Sequence, residues 1–410
     1  MFELRLALLF SAFRLILNVE AIDPECYLTV PEIARHFGYA SEAHVVRTED
    51  DYILELHRFP CALNESDCRP SDQKKPVVFM QHGLLSDGFC FIPNMPSQSA
   101  GFVFADAKFD VWIANSRGTP ASQKHIGFGP DDKRFWNFSF DEMARYDLTA
   151  SIKYVLQTTS REDLYYIGHS QGTMIMFAKL ADDASFNKKI RQFHALAPVA
   201  SVSHIGGLFK LLGKRFLEFA EVLLDRLPYT PLTFPKWVQK LIGWICSQSR
   251  LENICSLEIG FIDGNEKMFN LTRLGVYLCH TPAATSLKDL LHWMQLMDSQ
   301  KVQKYDYGAK GNMDQYGQET PPVYDLTKIR TPTFLYWSKD DILADTDDIR
   351  DSILAKMNGT IANSTELPHY SHMDFVFGVN AAQDIYMSMI ETMRRDDNQR
   401  RKKLNLKAIY

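Results

Sequence analysis

Three features of the chain predict an α/β fold with a mainly parallel central sheet and a helical insertion. Short apolar runs bounded by turn signals recur along it, helical stretches lie between them, and residues 201–325 break that rhythm. Pro76 to Met80 (PVVFM) and Phe109 to Ala114 (FDVWIA) are continuous apolar runs, as in strands buried on both faces. Leu164 to Ile167 (LYYI) and Thr333 to Trp337 (TFLYW) repeat the pattern, and Asp141 to Leu156 and Thr173 to Leu180 read as helices between them. Such alternation places helices on both faces of a sheet.

The insertion carries few strand signals. Leu208, Phe209, Leu211, Leu212, Phe216, Phe219, Leu223 and Leu224 recur at helical spacing. Pro228, Pro231 and Pro235 follow, and then Trp237, Val238, Leu241, Ile242 and Trp244. Periodicity alone favours a reading in which these stripes form the insertion's own core. The sharper alternative is a lid that presents apolar surface to lipid.

Composition narrows the function classes. The 410 residues hold 45 basic and 50 acidic side chains, a net charge of −5, which gives no basic excess with which to neutralise nucleic-acid phosphates. A hydrophobic share of 46% excludes low-complexity disorder, and a mean hydropathy of −0.21 excludes a polytopic membrane protein. After residue 21 no segment reaches the roughly 18 uninterrupted apolar residues of a membrane span. The first 21 residues read as a cleaved signal peptide: Leu4 to Leu17 is mostly apolar, and Val19 and Ala21 are short residues at the −3 and −1 positions before Ile22. The expected organisation is therefore a signal peptide (1–21), a core in two parts (22–200 and 326–393), the inserted segment (201–325) and a basic tail (394–410).

A lumenal or extracellular address agrees with two further features. Asn64, Asn137, Asn270, Asn358 and Asn363 are sequon acceptors for glycosylation. Of seven cysteines, Cys61 and Cys68 flank a short polar loop and Cys246 and Cys255 are similarly close, so both pairs are plausible local bridges. Cys26, Cys90 and Cys279 remain, and an odd count leaves at least one free or paired outside the chain. The tail, with Arg394, Arg395, Arg400, Arg401, Lys402 and Lys403, reads as a solvated, frayed terminus.

Chemistry enters at Gly168-His169-Ser170-Gln171-Gly172. This G-x-S-x-G pentapeptide follows one predicted strand and opens a predicted helix, the strand–turn–helix placement of a nucleophile elbow. Side chains at Gly168 and Gly172 would clash across so tight a turn. A serine hydroxyl needs a base to take its proton, and the base needs an acid to orient it. In this arrangement the chain order is Ser, acid, His. Ser338-Lys339-Asp340-Asp341 follows the strand Thr333–Trp337, and Pro368-His369-Tyr370-Ser371-His372 comes about thirty residues later. Spacing does not rank Asp341 over Asp340 or Asp345, nor His372 over His369. The two histidines lack a third ligand at suitable spacing, so no metal and no cofactor is expected. Oxyanion donors are expected from the backbone N–H of Gln171 and of Leu84, the latter on the Gln81-His82-Gly83-Leu84-Leu85 loop after an early strand. His82 reads as shaping that loop.

These residues resemble the acid lipases, the gastric and lysosomal group of α/β-hydrolases. The match runs in one register from about Asp23 to Thr392 and includes GYASEAHVVRTEDDYILELHRFP (38–60), QHGLLSDG (81–88), DVWIANSRGT (110–119), FWNFSFDEMARYDL (135–148) and GHSQGT (168–173). YLCHTPAATS (277–286), LLHW (290–293), DDILAD (340–345) and PHYSHMDF (368–375) complete it. The resemblance implies Ser170, Asp341 and His372 as the triad and Leu84 and Gln171 as the oxyanion donors. It also implies a helical cap over residues ~200–325, part of it a movable lid, and a cap disulfide between Cys246 and Cys255. The free cysteine that vertebrate members carry shortly after that pair is absent here, Cys61, Cys68, Cys90 and Cys279 are extra, and the basic tail has no family counterpart. The expected activity is cofactor-free hydrolysis of neutral lipid esters, triacylglycerols or cholesteryl esters, at a lipid–water interface. The rival readings are a non-catalytic lipid carrier on the same fold and an esterase for small soluble esters.

Overall fold

Runs of apolar residues without alternation make strands that bury both faces, and such strands pair in parallel at the centre of a sheet. The computed structural model describes residues 21–65, 68, 75–207, 230–248, 255, 268–357 and 359–407. Its main sheet is built from β1 (Glu42–Arg47), β2 (Tyr52–Phe59), β3 (Val77–Gln81), β4 (Asp110–Ile113), β5 (Lys124–His125), β6 (Leu164–His169), β7 (Ile190–Leu196), β10 (Thr333–Trp337) and β11 (Ile361–Glu366). The spatial order is β1-β2-β4-β3-β6-β7-β10-β11, with β5 paired to β2, while β8 (Pro231–Leu232) and β9 (Thr285–Ser286) pair in a separate two-stranded sheet within the insertion. From β4 through β11 every neighbour is parallel, whereas β1, β2 and β5 add an antiparallel edge. All residues of β3, β4 and β6 are buried, which accounts for their unbroken apolar runs.

The helices used below are α1 (Leu148–Thr159), α2 (Gln171–Asp182), α3 (Lys236–Cys246), α4 (Leu274–His280), α5 (Leu287–Ser299) and α6 (Met387–Lys407). The helix expected at Asp141 to Leu156 is a short turn, Phe140–Glu142, a π turn at Met143–Asp147, and then α1. One apolar cluster runs from Val30 to Met393 and takes in Trp112, Phe79, Tyr166 and Phe177 beside the sheet. Tyr277 of α4 and Trp293 and Leu296 of α5 belong to the same cluster, so this part of the insertion is continuous with the core. The other side of α5, Leu287, Leu291 and Met294, packs on Tyr305 in a small satellite cluster.

Two expectations need correction. The stripe Trp237–Ile242, read from periodicity as core, lies on α3 with Trp237 69% exposed and Leu241 and Ile242 also exposed; only Gly243 and Cys246 of that helix are buried. Helical spacing reports an apolar face and says nothing about what covers it. The earlier stripe, Leu208 to Leu224, lies outside the described residues, as do residues 1–20. The tail is not frayed through Lys407: it continues α6, with Arg400 paired to Asp163 and Glu162 and Arg401 to Asp397.

Three disulfides form: Cys61–Cys68, Cys246–Cys255 and Cys26–Cys279, the last joining the start of the chain to α4. Cys90 is a buried free thiol. The same N-terminal stretch is also held by the buried ion pair of Glu25 with Arg273. Among the described residues no helix is long and apolar enough to cross a membrane.

Candidate active site

The parallel register of β3 with β6 sets Gln81 opposite Gly168, so the loops leaving both strands emerge side by side. After His169 the chain turns at Ser170 with φ +54 and ψ −123, a left-handed conformation that a non-glycine residue adopts only when its surroundings enforce it. Ser170 N donates to Leu196 O at 3.1 Å, and Thr173 N to Ser170 O at 2.8 Å as α2 begins. The glycines are needed for space. A Cβ on Gly172 would lie 2.3 Å from Gln81 O, and one on Gly83 would lie 2.8 Å from the Ser170 Cβ. Strand, elbow and neighbouring loop therefore fit only with bare backbone at these points.

This packing aims the Ser170 hydroxyl at His372, whose Nε2 is 2.7 Å from Oγ. The other ring nitrogen, Nδ1, faces both carboxylate oxygens of Asp341 at 2.9 and 3.1 Å. A proton on Nδ1 directed at that carboxylate leaves Nε2 free to accept from Ser170. Asp341 sits on the loop after β10 with its side chain fully buried, and its Oδ1 accepts from Leu343 N and Ala344 N at 2.9 and 2.8 Å. Burial pushes the Asp341 carboxyl up, but the His372 charge, the His372 hydrogen bond and the two amides together outweigh it and hold the group below the usual carboxylate range. The arrangement can deprotonate a serine and store the proton next to a fixed negative charge.

The loop carrying His372 is fixed from two sides. Asp374 Oδ2 accepts from both Ser371 N and Ser371 Oγ at 2.8 Å. His169 of the elbow donates from Nε2 to His372 O at 2.9 Å. Burial, with repulsion from His372, lowers His169 to about 3, so this histidine stays neutral and keeps its donor.

The alternatives left open by spacing separate cleanly. Asp340 pairs with His369 at 3.2 Å, with both side chains more than half exposed. Asp345 caps a short helix by accepting from Asp347 N. His82 donates from Nδ1 to Gly83 O and accepts at Nε2 from Ser116 N, tying the loop before Leu84 to the loop after β4. Gly83, the residue before Leu84, comes up against Ser170, where a Cβ on the glycine would lie 3.3 Å from the Ser170 hydroxyl, and Gln171 follows Ser170 as the first residue of α2. Ligand atoms of His204, Asp345 and Asp348 lie within 4.8 Å of one another, but His204 is already paired to Asp348 through its backbone N–H and Nδ1.

Of the sequon acceptors, Asn64, Asn137 and Asn363 are exposed and Asn270 is half-buried; Asn358 lies outside the described residues. Sequence reasoning missed two residues that touch the elbow from the insertion. Asp289 accepts from Gln171 Nε2 at 3.0 Å, and Trp293 Nε1 donates to Gln171 Oε1. The only local signal was LLHW (290–293) itself, which carries no indication of its partner.

Residues 30–95 match the model of a partial alpha/beta-hydrolase lipase region, and residues 76–379 match that of the alpha/beta hydrolase fold. Lipase lipl-5 of Caenorhabditis elegans is 44% identical over 381 residues, covering 91% of this chain and 94% of that protein. Gastric triacylglycerol lipase of Bos taurus is 40% identical over 381 residues, covering 92% of this chain and 94% of its own length. The putative lysosomal acid lipase/cholesteryl ester hydrolase of Crotalus adamanteus is 40% identical over 380 residues, covering 91% and 92%.

Proposed function

This chain belongs to the α/β-hydrolase family of the gastric and lysosomal acid lipases, and from that premise we propose that it hydrolyses carboxylic esters of neutral lipids, triacylglycerols or cholesteryl esters, through an acyl-enzyme on Ser170. The observation that carries this reading is the buried line from Ser170 Oγ through His372 to Asp341.

Ser170 Oγ attacks the ester carbonyl carbon while its proton passes to His372 Nε2. Asp341 stabilises the imidazolium without taking its proton. The carbonyl oxygen becomes an oxyanion that accepts from the backbone N–H groups of Leu84 and Gln171. Collapse breaks the bond to the alcohol, which leaves with the proton from His372. Water then attacks the acyl-enzyme, giving its proton to His372, and the second collapse returns that proton to Ser170 and frees the fatty acid.

The exposed apolar residues of α3, with Phe234 just before it, support contact with a lipid–water interface. Residues 201–325 act as the cap in this reading, and the three disulfides suit a secretory-pathway protein, extracellular or lysosomal, with glycans on the exposed sequons. The test is hydrolysis of emulsified trioleoylglycerol and cholesteryl oleate from about pH 4 to about pH 8, beside Ser170→Ala. Hydrolysis that falls by several orders of magnitude in the variant is expected. Near wild-type turnover in Ser170→Ala sinks the reading.

A further inference from the structure

We propose that Asp289 and Trp293 of the inserted helix α5 are positioning residues that hold the Gln171 side chain and thereby fix the Gln171 backbone N–H toward the reacting carbonyl. The inference rests on the ester-hydrolase reading above and adds to it a link from the insertion to the oxyanion site.

Gln171 is the first residue of α2, where a backbone N–H has no acceptor within the helix and is free to serve a ligand. That freedom is also a weakness, because the first turn of a helix is its least constrained. Here the side chain supplies the missing constraint. The Gln171 carboxamide is buried, and both of its ends are engaged by one face of α5: Nε2 donates to Asp289 Oδ2 at 3.0 Å, and Oε1 accepts from Trp293 Nε1. Positions 289 and 293 are one helical turn apart and so point the same way.

The clamp is itself fixed. Asp289 is fully buried, and Thr285 Oγ1 donates to the same Oδ2 at 2.9 Å. Asp289 N donates to the capping hydroxyl of Ser286 at 3.0 Å, and that hydroxyl donates to Phe138 O. Trp293 lies in the main core. A buried carboxamide costs free energy unless both ends are paired, so a site that needed only packing would be served better by an aliphatic side chain. Pairing both ends from an element 118 and 122 residues away fixes where residue 171 sits.

The clamp also suits acid conditions. Burial pushes the Asp289 carboxyl up to about 7, so below that pH it carries a proton, and its carbonyl oxygen still accepts from Gln171. Asparagine is then an uncharged replacement of the same size that keeps an acceptor oxygen for Gln171.

The experiment uses the full chain and compares wild type with Asp289→Ala, Asp289→Asn and Trp293→Phe, with kcat expressed per Ser170 titrated by a fluorophosphonate. Two ligands are measured beside it: an alkylboronic acid, which adds Ser170 Oγ and places an oxygen in the oxyanion site, and a non-hydrolysable ether analogue of the substrate, which does not. Asp289→Ala and Trp293→Phe should lower kcat about 10- to 100-fold and weaken the boronic acid by a matching factor. KM and ether binding should stay within about twofold, and Asp289→Asn should recover kcat to within about threefold. Unchanged kcat per titrated site in both Asp289→Ala and Trp293→Phe overturns the proposal. So does an equal loss of ether binding, or an asparagine variant as slow as the alanine one. Should Asp289→Ala fail to fold, Trp293→Phe decides alone: it keeps an aromatic ring but loses the donor N–H and some volume, and a loss confined to kcat and boronic-acid binding, with ether binding kept, separates the lost donor from lost packing. A wild type that is neither labelled at Ser170 nor hydrolytic would instead defeat the ester-hydrolase reading.

Discussion

Placing a methyl group on Gly172 probes stability and rate through one contact. The new Cβ would fall 2.3 Å from Gln81 O and 2.8 Å from His82 O, where carbon atoms essentially never come within 3.0 Å. Both neighbours are backbone, so no side chain can swing aside, and the end of β3 must separate from the elbow by at least about 0.7 Å. Overpacking of a dense core costs typically 1–3 kcal/mol, and with backbone on both sides of the contact we expect about 3 kcal/mol. The displaced segment, Gln81–His82, leads directly into Gly83 and Leu84, so the strain passes to the loop beside Ser170. A misplacement approaching 1 Å at a reacting centre costs on the order of 100-fold. Gly172→Ala should therefore lower the urea midpoint and, among molecules still folded, reduce kcat per titrated Ser170 by about that factor. An alanine variant with an unchanged midpoint and a kcat within about twofold of wild type would refute the claim that this contact sets the elbow.

The remaining predictions concern charge and protonation. Asp341→Asn keeps the shape of the orienting group but removes its charge and offers His372 the wrong tautomer, so kcat should drop about 10³- to 10⁴-fold in a folded protein, read by ester hydrolysis beside circular dichroism. His372→Ala should abolish turnover while His369→Ala leaves it within about twofold, because the His369–Asp340 pair is exposed; equal losses would reverse that assignment. Asp289 keeps its proton in the folded chain up to about 7, whereas the unfolded chain releases it near 3.8, so folding is favoured below the lower value, loses that advantage as pH rises to the upper one, and is level beyond. Asp289→Asn, which cannot ionise, should gain stability relative to wild type across that window in paired urea titrations; a constant difference would contradict the shift.

What the sequence reveals depends on how far apart the interacting residues lie. The elbow is legible because strand, strained turn and helix are contiguous, and the glycines at 168 and 172 report the close approach directly. β3, β4, β6 and β10 are legible because burial removes alternation, whereas the equally central β7 escaped notice because Arg191, Gln192 and His194 interrupt its apolar run. β11 escaped notice: its Asn363, Ser364 and Thr365 belong to an exposed edge strand that carries no apolar run. Asp340 and His369 stand about as far apart in sequence as Asp341 and His372 do, and only the folded chain, which buries the second pair against Ser170, tells them apart. The grip of α5 on Gln171 and the bridge from Cys26 to Cys279 join segments more than a hundred residues apart, and nothing in local pattern announces such partners.

That long bridge divides the protein covalently as well as spatially. Ser170 and the backbone of Leu84 and Gln171 fall inside the loop it closes, and Asp341 and His372 fall outside. A single cut by a protease anywhere between Cys26 and Cys279 opens the loop without releasing a fragment. Both pieces stay tethered and migrate together until a reductant parts them. A hydrolase so joined can be nicked and still keep its nucleophile attached to its base.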